Sequence, residues 1–172
     1  LAETTLSLAE EMGTELAGGR GRALRASAEL KPSRDHLASA EFQEPHRRGE
    51  IIVAAMLHAL LGVWIARLNP QRMGRIVRGE KKYLDRSVVI EEGARIADYL
   101  LTMAIRALDY TPCVHLEFGD FLSAMLTADH EIRPDDGLYS FREHLLQSFR
   151  SFGIEPASDG KGLDGRWKAA DD

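Results

Sequence analysis

Ile51-Ile52-Val53-Ala54-Ala55-Met56-Leu57-His58-Ala59-Leu60-Leu61-Gly62-Val63-Trp64-Ile65-Ala66 is the longest uncharged apolar run in the chain, and its reading decides the fold. Its apolar residues cover most of a helical circumference instead of alternating, and the run is longer than an ordinary strand. A helix that is apolar nearly all round belongs in the centre of a domain. The run is about 16 residues, short of the roughly 20 a membrane span requires. Arg47, Arg48, Glu50 and Arg67 stand close to its ends. The expectation is therefore a buried central helix over about 47–68, stopped by Asn69-Pro70, and no membrane partner.

Outward from this helix the same period recurs. Toward the C-terminus a long helix is expected from about Val88 to Leu108, with Ile96, Tyr99, Leu100, Met103, Ala104 and Ala107 on one side. Thr111-Pro112 breaks the chain. Phe118 to Asp129 reads as a shorter helix with Phe121, Leu122, Met125 and Leu126 inward, and Pro134-Asp135-Asp136-Gly137 as a turn. The last helix, about Tyr139 to Phe152, places Phe141, Leu145, Leu146 and Phe149 inward and ends at Gly153. Toward the N-terminus, Ala2 to Leu16 is amphipathic and Gly18-Gly19 would end it. Arg20 to Glu44 reads as irregular or short-helical, with Pro32-Ser33 as a local helix start and Pro45 as a break. No run of four or more alternating β-branched residues stands out. The fold class is all-α: one globular helical domain of about five to seven helices over residues 1–155, followed by a flexible Gly-, Asp- and Lys-rich tail over 156–172.

Composition narrows the function. The chain has 172 residues, 44% of them apolar and 28% charged, which is ordinary for a globular domain with a real core. A net charge of -5 excludes electrostatic nucleic-acid binding by the chain as a whole. The basic stretch Gln71 to Arg86 reads as a solvated connector between helices. Cys113 is the single cysteine, so neither an internal disulfide nor a thiolate zinc cluster can form. The chain opens on Leu1, directly in a helical pattern and with no secretory leader, as a fragment or processed product would.

Motifs for chemistry are sparse. The histidines are His36, His46, His58, His115, His130 and His144, and no two are four apart as a helical zinc site of the HExxH kind requires. No metal is expected on this chain. Asp129 to Asp136 fails as a calcium loop, because Arg133 and Pro134 stand where an oxygen ligand and a glycine are needed. Gly18-Gly19-Arg20-Gly21 lacks the following Gly-Lys-Ser/Thr of a phosphate loop. Glu44-Pro45-His46-Arg47-Arg48-Gly49-Glu50 is the informative segment. It sets a histidine just ahead of the central helix behind a proline, where it can donate a proton or hydrogen bond into a cleft, or else help cap the helix.

Several segments together resemble the C-terminal lobe of thermolysin-like zinc metallopeptidases, over roughly Ala23 to Ile154. Ala23-Leu24-Arg25 is similar to that family's Ser-Leu-Arg stretch. Pro45 to Ala55 resembles its Val-His-x-Asn-Ser-Gly-Ile-x-Asn-x-Ala-Ala helix start. Thr111-Pro112 with Phe118, Ala124 and Ala128-Asp129 is similar to its Thr-Pro…Phe…Ala…Ala-x-Asp segment, and Ser148 to Ile154 to its Ala-Phe-x-x-Val-Gly-Val ending.

The resemblance implies a two-lobed peptide hydrolase whose zinc is bound by residues outside this chain, in a partner N-terminal lobe, so that this chain by itself is inactive. It implies that His46 hydrogen-bonds the tetrahedral oxyanion, that Arg25 holds a substrate carbonyl, and that Glu41 or Glu44 orients His46. The implied partners are the other lobe and a peptide or protein substrate, with self-association through the exposed cleft face. Arg47-Arg48 replaces the family's Asn-Ser pair, and the interval from Arg25 to His46 is shorter than usual. A non-catalytic helical module that binds peptides or proteins is therefore the alternative.

Overall fold

The computed structural model describes residues 27–68, 76–78, 81–83, 85–157 and 164–167. The N-terminal helix expected over Ala2 to Leu16, its glycine stop and Arg25 lie outside these residues. The fold is all-α, built on α1 (Pro45–Arg67), α2 (Arg86–Ala107), α3 (Phe118–Ile132) and α4 (Phe141–Ser151), with short 3-10 turns at Arg34–Leu37, Ala40–Phe42 and Leu108–Tyr110. The basic stretch expected to be a connector between helices carries a small antiparallel pair, β1 (Ile76–Arg78) and β2 (Lys81–Tyr83), with Ile76 opposite Tyr83 and Arg78 opposite Lys81. Three-residue strands are too short to leave an alternating signal in sequence.

The chain divides into two compact units. One takes in the described residues up to Leu61 together with Leu145–Glu155; the other takes in those of Gly62–His144 and those from Pro156 onward. α1 and α4 each contribute residues to both.

In the first unit, α1 starts at Pro45, whose missing N–H and fixed φ suit the first helical position. Its N-terminal half buries Ile51, Ala54, Ala55 and Ala59, the three- and four-residue steps of one helical face. α4 meets this face with Leu145, Phe149 and Ser148, whose hydroxyl donates to the Ala55 carbonyl at 2.7 Å. The chain before α1 is held by two histidines. His58 lies 3.2 Å from the Leu30 carbonyl through Nε2 and stands edge-on to Phe152. His36 bonds the Lys31 carbonyl at 2.8 Å and packs on Phe42.

α4 closes with the Ile154 N–H on the Phe149 carbonyl and the Gly153 N–H on the Arg150 carbonyl. That geometry needs a left-handed residue, and Gly153 supplies it at φ 79°. Arg34 backbone atoms lie only 3.2 Å from where a Gly153 Cβ would stand. Glycine is thus required here on two counts.

In the second unit Asp85 caps α2 through the Ser87 N–H. α2 then buries Ile96, Tyr99, Leu100, Met103 and Ala107 against α3. Every residue of α3 from Leu122 to Asp129 is buried. Four of them, Ser123, Ala124, Thr127 and Ala128, are small enough to let neighbours approach closely. Burial on all sides thus falls to α3, whereas α1 is buried along a stripe and leaves Val53 and Ile65 exposed.

α1 is the one helix among the described residues long and apolar enough to cross a membrane by length and composition. Its uncharged stretch rises only about 24 Å, against the ~30 Å of a hydrocarbon core. Gly93 sits against the Trp64 ring, with 2.7 Å from Trp64 to a hypothetical Cβ, which explains a glycine inside α2. The Trp64 indole N–H donates to the Val89 carbonyl at 3.2 Å. Within the tail expected to be flexible, the Ala157 N–H bonds the Gly119 carbonyl and the Trp167 N–H bonds the Thr127 hydroxyl.

Candidate functional site

The start of α1 is organised by one carboxylate. Glu44 precedes the first helical residue, and its Oε2 accepts from the Arg47 N–H at 2.9 Å, satisfying a donor that the helix itself cannot. Its other oxygen, Oε1, accepts from His46 Nδ1 at 2.8 Å. Capping is therefore done by Glu44 and not by the histidine. His46 stands in the first turn with its side chain 96% exposed, and the Glu44 contact is its ring's only hydrogen bond among the described residues.

Each partner shifts the other. The hydrogen bond from the His46 ring, then that from the Arg47 backbone, holds the Glu44 carboxyl down to about 2. The same ring hydrogen bond, with the carboxylate charge behind it, raises the imidazole above its ordinary value. The geometry has a chemical consequence. With Nδ1–H given to a carboxylate, Nε2 is an acceptor in the neutral ring and a donor only in the imidazolium. Raising the imidazole pKa therefore extends the range over which His46 can donate outward.

The other expected residues divide. Glu41 does not orient His46. It pairs with Arg47, whose Nη1 also reaches Glu50 Oε2 at 2.6 Å and whose guanidinium stacks 5.2 Å from the Phe42 ring. Sequence alone admits both Glu41 and Glu44; the geometry selects Glu44. The role implied for Arg25 falls outside the described residues. Among those residues no three His, Cys, Asp or Glu side chains converge as metal ligands. His36 and His58 are instead occupied by backbone carbonyls. The zinc that the resemblance implies would be held by residues outside this chain.

A second polar cluster, in the other unit, gave no sequence signal beyond the rejected calcium loop. Asp129 is 2% exposed, and it accepts from the Tyr99 hydroxyl at 2.5 Å and from Arg142 Nη1 at 2.7 Å. Burial raises both the Asp129 carboxyl and the Tyr99 phenol. Arg142 also donates to the carbonyls of Arg133 and Pro134, each at 2.9 Å, and Asp136 caps α4 through the Phe141 and Arg142 N–H groups. The Arg133 guanidinium lies 3.7 Å above the Tyr99 ring. A cavity of about 370 Å³ opens beside it, walled by Arg95, Asp98, Tyr99, Arg133, Asp136 and Tyr139 among others. Asp129 and Arg142 are committed to internal partners. The cluster fixes the turn between α3 and α4.

No protein-family model matches the chain, and no curated protein or solved structure is detectably similar to it.

Proposed function

We propose that this chain is the helical lobe of a zinc-dependent peptide hydrolase of the thermolysin-like kind, and that His46 is its contribution to the transition state. The observation that carries the reading is the Glu44–His46 pair: a solvent-facing imidazole, oriented by a carboxylate that is itself locked as the helix cap. The ordered resemblance of the segments from Ala23 to Ile154 supports it. The zinc would be held by side chains outside this chain and would supply Lewis-acid chemistry there.

What this chain does is position a charged donor. As a peptide carbonyl becomes tetrahedral, negative charge grows on its oxygen. An imidazolium whose ring is fixed from behind by Glu44 presents Nε2–H to that charge without having to reorganise. Such a donor favours the transition state over the ground state, so it acts on turnover more than on substrate affinity.

The test is His46→Ala in the hydrolase comprising this lobe and its zinc-binding partner. Turnover should fall by about 10²–10³-fold, the scale of a lost oxyanion donor. Zinc content should not change, and thermal stability should change little. Undiminished activity in the normally folded variant would leave the alternative, a peptide- or protein-binding helical module.

A further inference from the structure

We propose that the cavity beside Tyr99 is a binding site for a free diamino acid of the lysine kind. Its α-carboxylate pairs with Arg133, and its two ammonium groups pair with Asp98 and Asp135. The described residues that wall the cavity all lie in the second unit, so the proposal is independent of the role given to His46.

The site is built on Tyr99. Phe141 stacks against its ring at 4.8 Å, and Asp129 holds its hydroxyl at 2.5 Å. The Arg133 guanidinium rests over this fixed ring, 3.7 Å from its centre. The Arg133 backbone is held as well, because its carbonyl accepts from Arg142 Nη1 at 2.9 Å. Contact with an aromatic face leaves a guanidinium the N–H groups in its own plane, the fork that fits a carboxylate. Among the described residues Arg133 has no carboxylate partner, although three aspartates line the same cavity. The donor is positioned before any ligand arrives, which lowers the ordering cost of binding.

The ligand follows from which charges on the wall are already engaged. Arg95 is paired with Glu91 and Glu92. Both oxygens of Asp136 take N–H groups at the start of α4. Asp135 gives Oδ1 to the Gly137 N–H at 2.8 Å, which orients the carboxylate and leaves its other oxygen. Asp98 is exposed on α2 and has no donor among the described residues. One cation and two carboxylates therefore remain, and their complement is one carboxylate with two ammonium groups. The aliphatic stem between those groups packs along Leu138 and Tyr139. A volume of about 370 Å³ falls at the small end of the roughly 300–1,000 Å³ of small-molecule sites. A dicarboxylate would meet two unanswered aspartates, and a plain diamine would leave Arg133 unanswered. In a peptide the α-nitrogen of lysine is an uncharged amide, so the free amino acid is the match.

NMR titration of the full chain at low ionic strength, following the Arg133 side-chain N–H and the Tyr139 ring, tests the site with L-lysine as probe. Saturable shifts with a dissociation constant of about 1 mM or below are expected. Cadaverine lacks the carboxylate and L-leucine lacks the second ammonium, so each should bind at least tenfold more weakly. Arg133→Gln should weaken lysine at least tenfold and leave cadaverine unchanged, which abolishes the preference between them. Asp98→Asn, at an exposed position, should also weaken lysine at least tenfold while its thermal melt matches the unmodified chain. That variant decides the matter even where Arg133→Gln loses stability. Lysine that shifts neither signal up to about 20 mM, twentyfold above that constant, would overturn the proposal. So would lysine binding that survives either substitution, or an affinity for lysine that leucine or cadaverine equals.

Discussion

Glu44 Oε1 and His46 Nδ1 lie 2.8 Å apart, two residues from each other in sequence, while the other oxygen of the same carboxylate caps α1. A single side chain therefore couples the start of the helix to the orientation of an exposed imidazole. The His46 ring should titrate above its ordinary value of 6.5, and Glu44→Gln should bring it back toward that value. Proton NMR of the ring as a function of pH reads both. An unchanged His46 titration in Glu44→Gln would mean that the pair does not form in solution.

The same pair sets a stability window. His46 has its pKa raised on folding, so its contribution is fully present below 6.5 and is lost as pH rises through the folded value. Glu44 has its pKa lowered, so its contribution is present above 4.5 and is lost as pH falls toward about 2. The two overlap between those ordinary values. Both groups are exposed and water screens them, so the effect should be small. It should appear as a shallow maximum in the difference between the melting temperatures of the native chain and His46→Ala, measured across pH.

Asp129 should be far more sensitive. Its two partners leave it a buried, paired carboxylate, and Asp129→Ala takes away the charged acceptor of the Arg142 guanidinium and the only acceptor the Tyr99 hydroxyl has among the described residues. A loss of about 3–5 kcal/mol is expected, as when one member of a buried pair is removed. Tyr99→Phe deletes a hydrogen bond to a charged acceptor and should cost about 1.5–3 kcal/mol. The double variant should cost less than the sum, because the two substitutions remove a shared interaction. Urea denaturation of the four proteins closes the cycle. Strict additivity would contradict the network.

Gly153→Ala should destabilise by more than ~1 kcal/mol, since the residue has positive φ and a Cβ would press on the Arg34 backbone. Denaturant melts of the variant measure it. A neutral or stabilising result would show that the turn after α4 can be rebuilt without glycine.

Much of this architecture is legible in the sequence, for reasons that differ by element. The ends of α1 are written by Pro45 and Asn69-Pro70, and its length by the apolar run between them. α2 and α4 declare themselves through amphipathic periods, and the Gly153 stop through the left-handed turn it must make. The antiparallel pair at Ile76–Tyr83 left no pattern because its strands are three residues long. Continuous burial of α3 depends on what packs around it, which local sequence does not encode. At the site, Glu41 and Glu44 both precede His46 by a few residues, and only the capping geometry separates them. Asp129, Tyr99 and Arg142 are brought together from three helices, so their pairing has no local sequence signature.

The central claim, that His46 stabilises developing charge in peptide hydrolysis, is most directly tested by the pH dependence of kcat for the native hydrolase and His46→Ala, with zinc content measured alongside. The account predicts a rate loss of about 10²–10³-fold at low pH. That difference should narrow as pH rises through the imidazole pKa, because only the imidazolium can donate through Nε2. Zinc content should be equal in the two proteins. Equal turnover by the folded variant throughout the range, or a rate loss that tracks lost zinc, would contradict it.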